Sequence, residues 1–276
     1  MTTMSEPSLA SPSNPRIKAA AALRDRRERD ATGLTLVDGA REVRRALEAG
    51  VEVVEAFVCE PLLGGGDARA ALDAIRSGGV ALITTSETAF AKLAFGDRAE
   101  GVVAVVRIPS FALDGLQVPA DPLILVIEGV EKPGNVGAVL RSADGAGVDA
   151  VIAASPRTDL ANPNVIRASA GTFFSVPMAA APSDEVLAWL GVRSIRIVVA
   201  RVDGAVAYTD ADLTGAVAIV LGSEAGGVSD AWTRPAVETV HLPMLGIADS
   251  LNVSVSAAVL AYEARRQRGP RAPEAD

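Results

Sequence analysis

The chain has one cysteine, Cys59, and one histidine, His241. An intrachain disulfide is therefore excluded, and so is a metal cage of Cys and His ligands. Aromatic residues are scarce at 4%, while hydrophobic residues, mostly Ala and Val, reach 49%. A core of that kind suits helices packed over a buried sheet. No apolar run approaches the ~18–20 residues that span a bilayer. Met1 to Pro15 is polar, rich in Ser and Pro, and carries no secretory-type apolar segment. The expected compartment is the cytoplasm, and no membrane partner is expected. Basic charge is also short: 26 Lys and Arg against 34 Asp and Glu give a net charge of −8. That balance counts against a nucleic-acid partner, but a local basic surface is enough for one, so the distribution decides.

Strand-like and helix-like segments alternate through most of the chain. Residues 1–13 read as a disordered tail. Ile17 to Asp30 reads as one helix carrying Arg24, Arg26, Arg27 and Arg29. Strands are expected at Leu34–Val37, Val51–Cys59, Val80–Thr84 and Gly101–Ile108, separated by helices at Ala40–Ala49, Ala68–Arg76 and Ser86–Ala94. Residues 14–107 thus form a small α/β domain. Residues 108–120, with two prolines and a glycine, read as a linker. Alternation resumes in 121–268. Strands are expected at Leu123–Glu128, Ala150–Ala154, Ile195–Ala200, Ala216–Leu221 and Val237–Leu242. Helices are expected at Gly137–Ala146, Pro163–Ala170, Asp184–Leu190 and Leu251–Arg268. Residues 269–276 read as a second tail. The expected class is α/β, with a doubly wound parallel sheet that binds its ligand at the C-terminal ends of the strands.

Three Gly- or Ser-rich loops in the second domain join an apolar strand to a helix: Glu128–Arg141, Leu221–Ser229 and Leu242–Ser254. Glycine there lets the backbone approach a ligand and present its N–H groups. Each loop taken singly is equally well a tight turn. None holds the G-x-G-x-x-G fingerprint of a nicotinamide-dependent dehydrogenase, and none is a P-loop, because no G-K-[ST] follows.

Taken in order, the loops resemble the three motifs of the SpoU/TrmH family of RNA ribose methyltransferases. The matching residues are Asn135-x-Gly137 with Arg141 six residues on, Leu221-Gly-Ser-Glu224-x-Gly-Gly, and Leu242-Pro-Met followed by Ser250-Leu-Asn-Val-Ser254. Arg167 to Pro177 is similar to the family's intermediate segment. Leu36-Val-Asp-Gly39 resembles its substrate-binding domain more loosely. The resemblance implies a trefoil-knotted catalytic domain, S-adenosylmethionine as cofactor, a homodimer, and structured RNA as partner, with rRNA favoured and tRNA the alternative. It places Ala200, Gly222, Leu242, Met244 and Leu251 around the cofactor, where a branched side chain at Gly222 would obstruct the approach. It places Asn135, Arg141, Glu224, Ser250 and Asn252 at the catalytic centre. No metal is implied. For the dimer, Val253, Val255, Val259 and Leu260 on the closing helix offer an apolar face.

Methylation of a ribose hydroxyl is an in-line displacement in which a proton must leave the attacking oxygen. Arg141 stands nearest the base's position by family pattern, but a guanidinium stays protonated. Orienting a phosphate, stabilising a developing alkoxide, and lying idle on a helix surface are its alternatives. Asn135 either positions Arg141 or the ribose, or makes an Asx-turn. Glu224 either bonds near them or sets charge at a helix start. Ser250 and Asn252 fix geometry or cap the last helix. His241 and Cys59 read as structural. The candidate RNA contacts are Arg16, Arg24, Arg26, Arg27, Arg29 and Arg41, in the basic N-terminal stretch of an otherwise acidic chain. The chain departs from many relatives at Lys132-Pro, where Asp-Pro is common, and at Asn164, where a basic residue is common. An RNA-binding relative without catalysis and a nicotinamide-dependent oxidoreductase are the competing readings. Calorimetry with S-adenosylmethionine and NAD separates the second from a methyltransferase.

Overall fold

Short runs of β-branched and aliphatic residues, each closed by a turn, set the strand positions. A computed structural model describes residues 8–95, 100–224, 226–233 and 237–269. They divide into two compact units. The first takes the chain up to Pro109 together with Asp159–Ser175, and the second takes Ser110–Thr158 and the chain from Val176 onward. The sequence-based division at 108–120 leaves 159–175 in the second unit, whereas that segment groups with the first.

The first unit runs β1 (Ser8–Leu9), α1 (Pro15–Ala22), α2 (Arg26–Thr32), β2 (Leu34–Asp38), α3 (Ala40–Glu48), β3 (Val53–Val58), α4 (Gly65–Ser77), β4 (Ala81–Thr85), α5 (Glu87–Phe90) and β5 (Val102–Arg107). Its sheet has the order β1-β4-β3-β5-β2. Leu36, Phe57, Ile83, Phe90 and Val103 pack with Ile17 of α1 into one core. Residues 8–13 are ordered, against the expected tail, because Ser8 and Leu9 pair with Thr84 and Thr85. Residues 1–7 of that tail and 270–276 of the other lie outside the described residues.

The expected single helix over 17–30 is two. Asp25 accepts from the Arg27 amide at 2.9 Å and starts α2 afresh. The break turns Arg29 inward, so this residue is 2% exposed and is not part of the basic surface. Its guanidinium donates to the Leu23 and Arg24 carbonyls at 2.7 and 2.8 Å and pairs with Asp159. An arginine at a helix end satisfies carbonyls that the break leaves open, and a buried charge requires such a partner.

The segment 159–175, including α7 (Pro163–Ala168), is tied to the first unit by further bonds. Thr35 Oγ1 donates to the Ala161 carbonyl at 2.7 Å, Arg45 donates to the Ala170 carbonyl at 3.0 Å, and Arg167 pairs with Asp38 at 2.7 Å. Asp38 is 2% exposed. Burial raises its carboxyl to about 6, against the lowering effects of the Phe95 amide and Arg167, with Glu100 and Glu42 adding to the rise. A carboxyl raised in the folded state binds more protons folded than unfolded between its two pKa values. Stability from this group is therefore largest below about pH 4 and is lost as pH rises through about 6. The Asp38→Asn variant should lack this component, with a wild-type-minus-variant difference of about 3 kcal/mol developing across that window. Denaturant melts at several pH values check it. Parallel stability curves for the two proteins would refute it.

The second unit runs β6 (Leu123–Glu128), α6 (Pro133–Ala146), β7 (Ala150–Ala154), β8 (Met178–Ala181), α8 (Ser183–Val192), β9 (Arg196–Ala200), β10 (Val206–Ala207), β11 (Val217–Leu221), β12 (Glu238–His241) and α9 (Val253–Arg268). All the pairings in its sheet, β10-β12-β9-β11-β6-β7-β8, are parallel. β6, β7 and β11 are buried throughout, as a parallel sheet covered on both faces requires. Ile124, Val126, Val199, Ala218 and Val220 pack with Val186, Trp189 and Leu190 of α8. Alternation along the strands turns their neighbours toward α6 and α9, which pack on each other. Arg265 of α9 donates to the Ala146 and Gly147 carbonyls at 2.8 and 2.6 Å, closing the end of α6. β8 is not foreseen by the sequence, since Met-Ala-Ala-Ala has no β-branched residue. Among the described residues no helix is long and apolar enough to cross a membrane.

Candidate active site

The C-terminal ends of β9, β11 and β12 open into a cavity of about 580 Å³. Ala200, Gly222, Leu242, Met244 and Leu251 all line it, with Ser250, Asp203 and His241. The loop after β11 doubles back on itself. Ser223 and Gly227 exchange backbone bonds of 3.0 and 2.9 Å, and the Ser223 hydroxyl accepts from the Gly226 amide at 3.2 Å. Gly222 lies against the returning strand so closely that a Cβ would stand 2.0 Å from the Gly227 carbonyl carbon. Its lack of a side chain is thus demanded by its own loop.

At the rim, three loops meet through one carboxylate. Glu224 Oε1 accepts from Asn135 Nδ2 at 2.9 Å and from Asn252 Nδ2 at 2.5 Å. Asn252 Nδ2 also lies 3.3 Å from Asn135 Oδ1. The other oxygen of Glu224 pairs with Lys132 Nζ at 2.9 Å. The Lys132 and Asn135 hydrogen bonds hold the Glu224 carboxyl below the usual carboxylate value. It therefore stays an ionised acceptor that fixes both amides. Asn252 Oδ1 accepts from the Ser254 amide at 2.9 Å and starts α9, so its capping role and its place in the cluster coexist. Lys132 is absent from the sequence-based site. The signal that marks it is its departure from the common Asp-Pro.

Ser250 lines the cavity but is not bonded into the cluster. Arg141 is exposed on α6, and among the described residues it makes no hydrogen bond or ion pair. The His241 ring places Nδ1 2.8 Å from the Gly204 carbonyl oxygen, which makes Nδ1 the donor. That bond anchors the β12 end and fits the structural reading.

The candidate RNA contacts fare unequally. Arg16 pairs with Glu55 at 2.6 Å, and Arg24 donates to the Leu93 and Ala94 carbonyls at 2.8 and 2.6 Å. Arg26 pairs loosely with Asp30 at 3.4 Å, and Arg41 with Glu42 at 3.2 Å. Arg27 is exposed and makes no side-chain bond among the described residues. The apolar face expected on α9 is also redrawn. Val253 and Leu260 are buried within the chain because they share the stripe that packs inward with Ala257, Ala261 and Ala264. Val259 is half-buried. Val255 and Tyr262 are exposed, as are Leu245, Ile247 and Leu251 in the preceding loop.

Residues 122–262 match the SpoU rRNA Methylase family, and residues 14–104 match the MRM3-like substrate binding domain. A 23S rRNA (uridine(2479)-2'-O)-methyltransferase from Streptomyces viridochromogenes is 38% identical over 173 residues, 60% of this chain and 60% of that enzyme. A crystal structure of an RNA 2'-O ribose methyltransferase shares 43% identity at a TM-score of 0.85, over 94% of this chain and 98% of that one. The SpoU methyltransferase AviRb from Streptomyces viridochromogenes, crystallised with the cofactor AdoMet, shares 32% identity at a TM-score of 0.83, over 92% and 98%.

Proposed function

Because the chain belongs to the SpoU rRNA methylase family, we propose that it transfers the methyl group of S-adenosylmethionine to a ribose 2′-hydroxyl of ribosomal RNA. The observation that carries this reading is the Asn135–Glu224–Asn252 cluster at the rim of the cavity. The cavity fits the cofactor. It joins an apolar floor at Leu221, Leu242 and Leu251 to backbone groups of Gly-rich loops and to Asp203 and Asp249, the mixture that an adenosine and an amino acid require. When bound, S-adenosylmethionine supplies a methyl group on a positively charged sulfonium.

The chain's own residues supply alignment. Glu224 holds the Asn135 and Asn252 amides at fixed spacing, so the ribose docks against preset hydrogen-bonding groups. Lys132 offsets the Glu224 charge, which would otherwise repel a phosphodiester. Ser250 contributes a hydroxyl at the cavity edge. Arg141 stabilises negative charge on the attacking oxygen, with the proton leaving to a substrate phosphate or to water, since the guanidinium is already protonated.

The same reading includes three further assignments. The chain from β12 through α9 follows the family's trefoil knot; in support, β12 lies beyond β9 while α9 returns to pack on α6, β6 and β11. Two copies pair through Leu245, Ile247, Leu251, Val255 and Tyr262, apolar groups exposed in the single chain. Light scattering that shows only monomer at micromolar concentration would exclude the pairing. The enzyme works in the cytoplasm, where its substrate resides.

The first unit docks RNA through Arg26, Arg27 and Arg41, helped by Arg16 and Arg24, while Arg29 holds the unit's interior. Incubation with labelled cofactor and protein-free 23S rRNA or tRNA tests the substrate. Label on one rRNA ribose is expected, and label confined to tRNA or to a base would overturn the reading. In filter binding at several salt concentrations, Arg26→Gln with Arg27→Gln should reduce the salt slope of RNA affinity by about 1.5, at just under one released counterion per contact. Cofactor affinity should stay unchanged. An unaltered slope would remove these two residues from the interface.

A further inference from the structure

A buried carboxylate that the mechanism does not use joins the end of β6 to the loop after β11. Glu128 ends β6 and is 6% exposed. Its Oε1 accepts from the Ser183 hydroxyl at 2.5 Å and from the Ser229 hydroxyl at 2.7 Å, and its Oε2 accepts from the Ser229 amide at 2.7 Å. Burial pushes the carboxyl up, but the bonds from Ser183 and from the Ser229 amide and hydroxyl, with the Trp232 indole beside them, outweigh that and hold it below the usual value. Ser183 begins α8, and its amide donates to Ser155 Oγ at 3.0 Å, so the network reaches the end of β7 as well.

The two arms of this network do different work. The Ser183 arm fastens α8, which contributes nothing to the lining of the cavity. The Ser229 arm fastens the loop after β11, where Val228 and Asp230, on either side of Ser229, both line the cavity. Ser229 is an exposed residue whose amide and hydroxyl bonds to Glu128 are only part-buried, so without Glu128 both groups could turn to water. The bond to Glu128 therefore does not relieve a buried polar group on the loop. It ties the loop to the end of β6. The opposite end of the same loop carries Glu224, and the residues that follow Glu128 lead through Gly129 (φ +62°) to Lys132 and Asn135.

We propose that Glu128 is a positioning residue, a clamp that holds the loop Gly222–Asp230 against the end of β6 through Ser229 and so presets the cofactor cavity. The proposal rests on the methyltransferase reading of that cavity. It makes the two arms separable. Ser229→Ala should weaken S-adenosylmethionine affinity about fivefold and Glu128→Gln about thirtyfold, as expected for loss of one and of several bonds to a buried charge. Ser183→Ala, which strips a bond from the same oxygen, should leave cofactor affinity within about twofold while lowering the melting temperature at least as much as Ser229→Ala.

Calorimetry with S-adenosylmethionine on the full chain reads the affinities. Amide hydrogen exchange of the 222–230 segment, measured without cofactor, reads the clamp directly. Exchange should speed up in Ser229→Ala and Glu128→Gln and stay at the wild-type rate in Ser183→Ala. Should Glu128→Gln fail to fold, the Ser229→Ala and Ser183→Ala pair decides alone. Wild-type exchange in Ser229→Ala, or equal cofactor losses in the two serine variants, would overturn the clamp. If the wild-type chain binds no S-adenosylmethionine while the exchange pattern holds, the cavity assignment falls and the clamp stands.

Discussion

Alanine at Arg141 is expected to lower single-turnover methyl transfer by about 10³-fold while leaving S-adenosylmethionine affinity within about twofold. The guanidinium stands exposed on α6, engaged by no other described residue and outside the lining of the cavity. Its removal therefore costs the fold little and the cofactor little. On the proposed reaction its charge is free for the RNA and for the attacking oxygen, where stabilisation matters most as charge develops. Arg141→Lys keeps the charge but loses the planar, forked geometry, so it should recover only part of the rate. Rapid-quench measurement at saturating RNA separates the chemical step from binding. A near-wild-type rate for Arg141→Ala would end this assignment and favour the bland reading of a surface arginine.

Gly222→Ala should be the most damaging single methyl group in the second unit. The new Cβ would sit 2.0 Å from the Gly227 carbonyl carbon and 2.3 Å from the Val228 nitrogen. Both are backbone atoms in a loop cross-bonded at Ser223 and Gly227, so neither swings aside as a flexible side chain would. Overpacking of this kind costs about 3 kcal/mol, and the displaced loop should lower cofactor affinity about 100-fold or more. The harm comes from inside the protein, not from a side chain reaching into the ligand's space, as the sequence alone suggests. Gly191→Ala is the control: nothing lies within 4 Å of its Cβ and it is outside the lining of the cavity, so it should change melting temperature and affinity little. Wild-type cofactor binding by Gly222→Ala would show that the cavity is not where the cofactor lies.

The long parallel strands and the motif loops are legible from sequence because their signals are local: apolar runs such as Leu-Ile-Leu-Val-Ile at 123–127, and glycines at strand ends. Motif order also brings Asn135, Glu224 and Asn252 together before any distance is known. What escapes depends on partners remote in the chain. β8 is a strand only because β7 pairs with it. Arg29 is basic and lies on a helix, but a three-residue break and an aspartate at position 159 send it inward. Lys132 and Glu128 stand in the first motif loop, one as a departure and one as its first residue, but the contacts they make exist only once loops far apart in sequence converge. On α9, hydrophobic content marks an apolar helix correctly, but only packing against α6 tells which of its valines remain exposed.

The excursion of residues 159–175 into the first unit has a consequence for the order of synthesis. A domain that emerges first from the ribosome usually folds first and alone. Here the first 109 residues emerge before three of their partners. Arg29 would lie in an apolar interior without Asp159, Thr35 would lack the Ala161 carbonyl, and Asp38 would lose Arg167. Those partners are made only after β6, α6 and β7 have been translated. The contacts that complete the first unit therefore form only after two of the seven strands of the second sheet have been translated, so residues 1–109 expressed alone should be less stable than the same unit in the full chain.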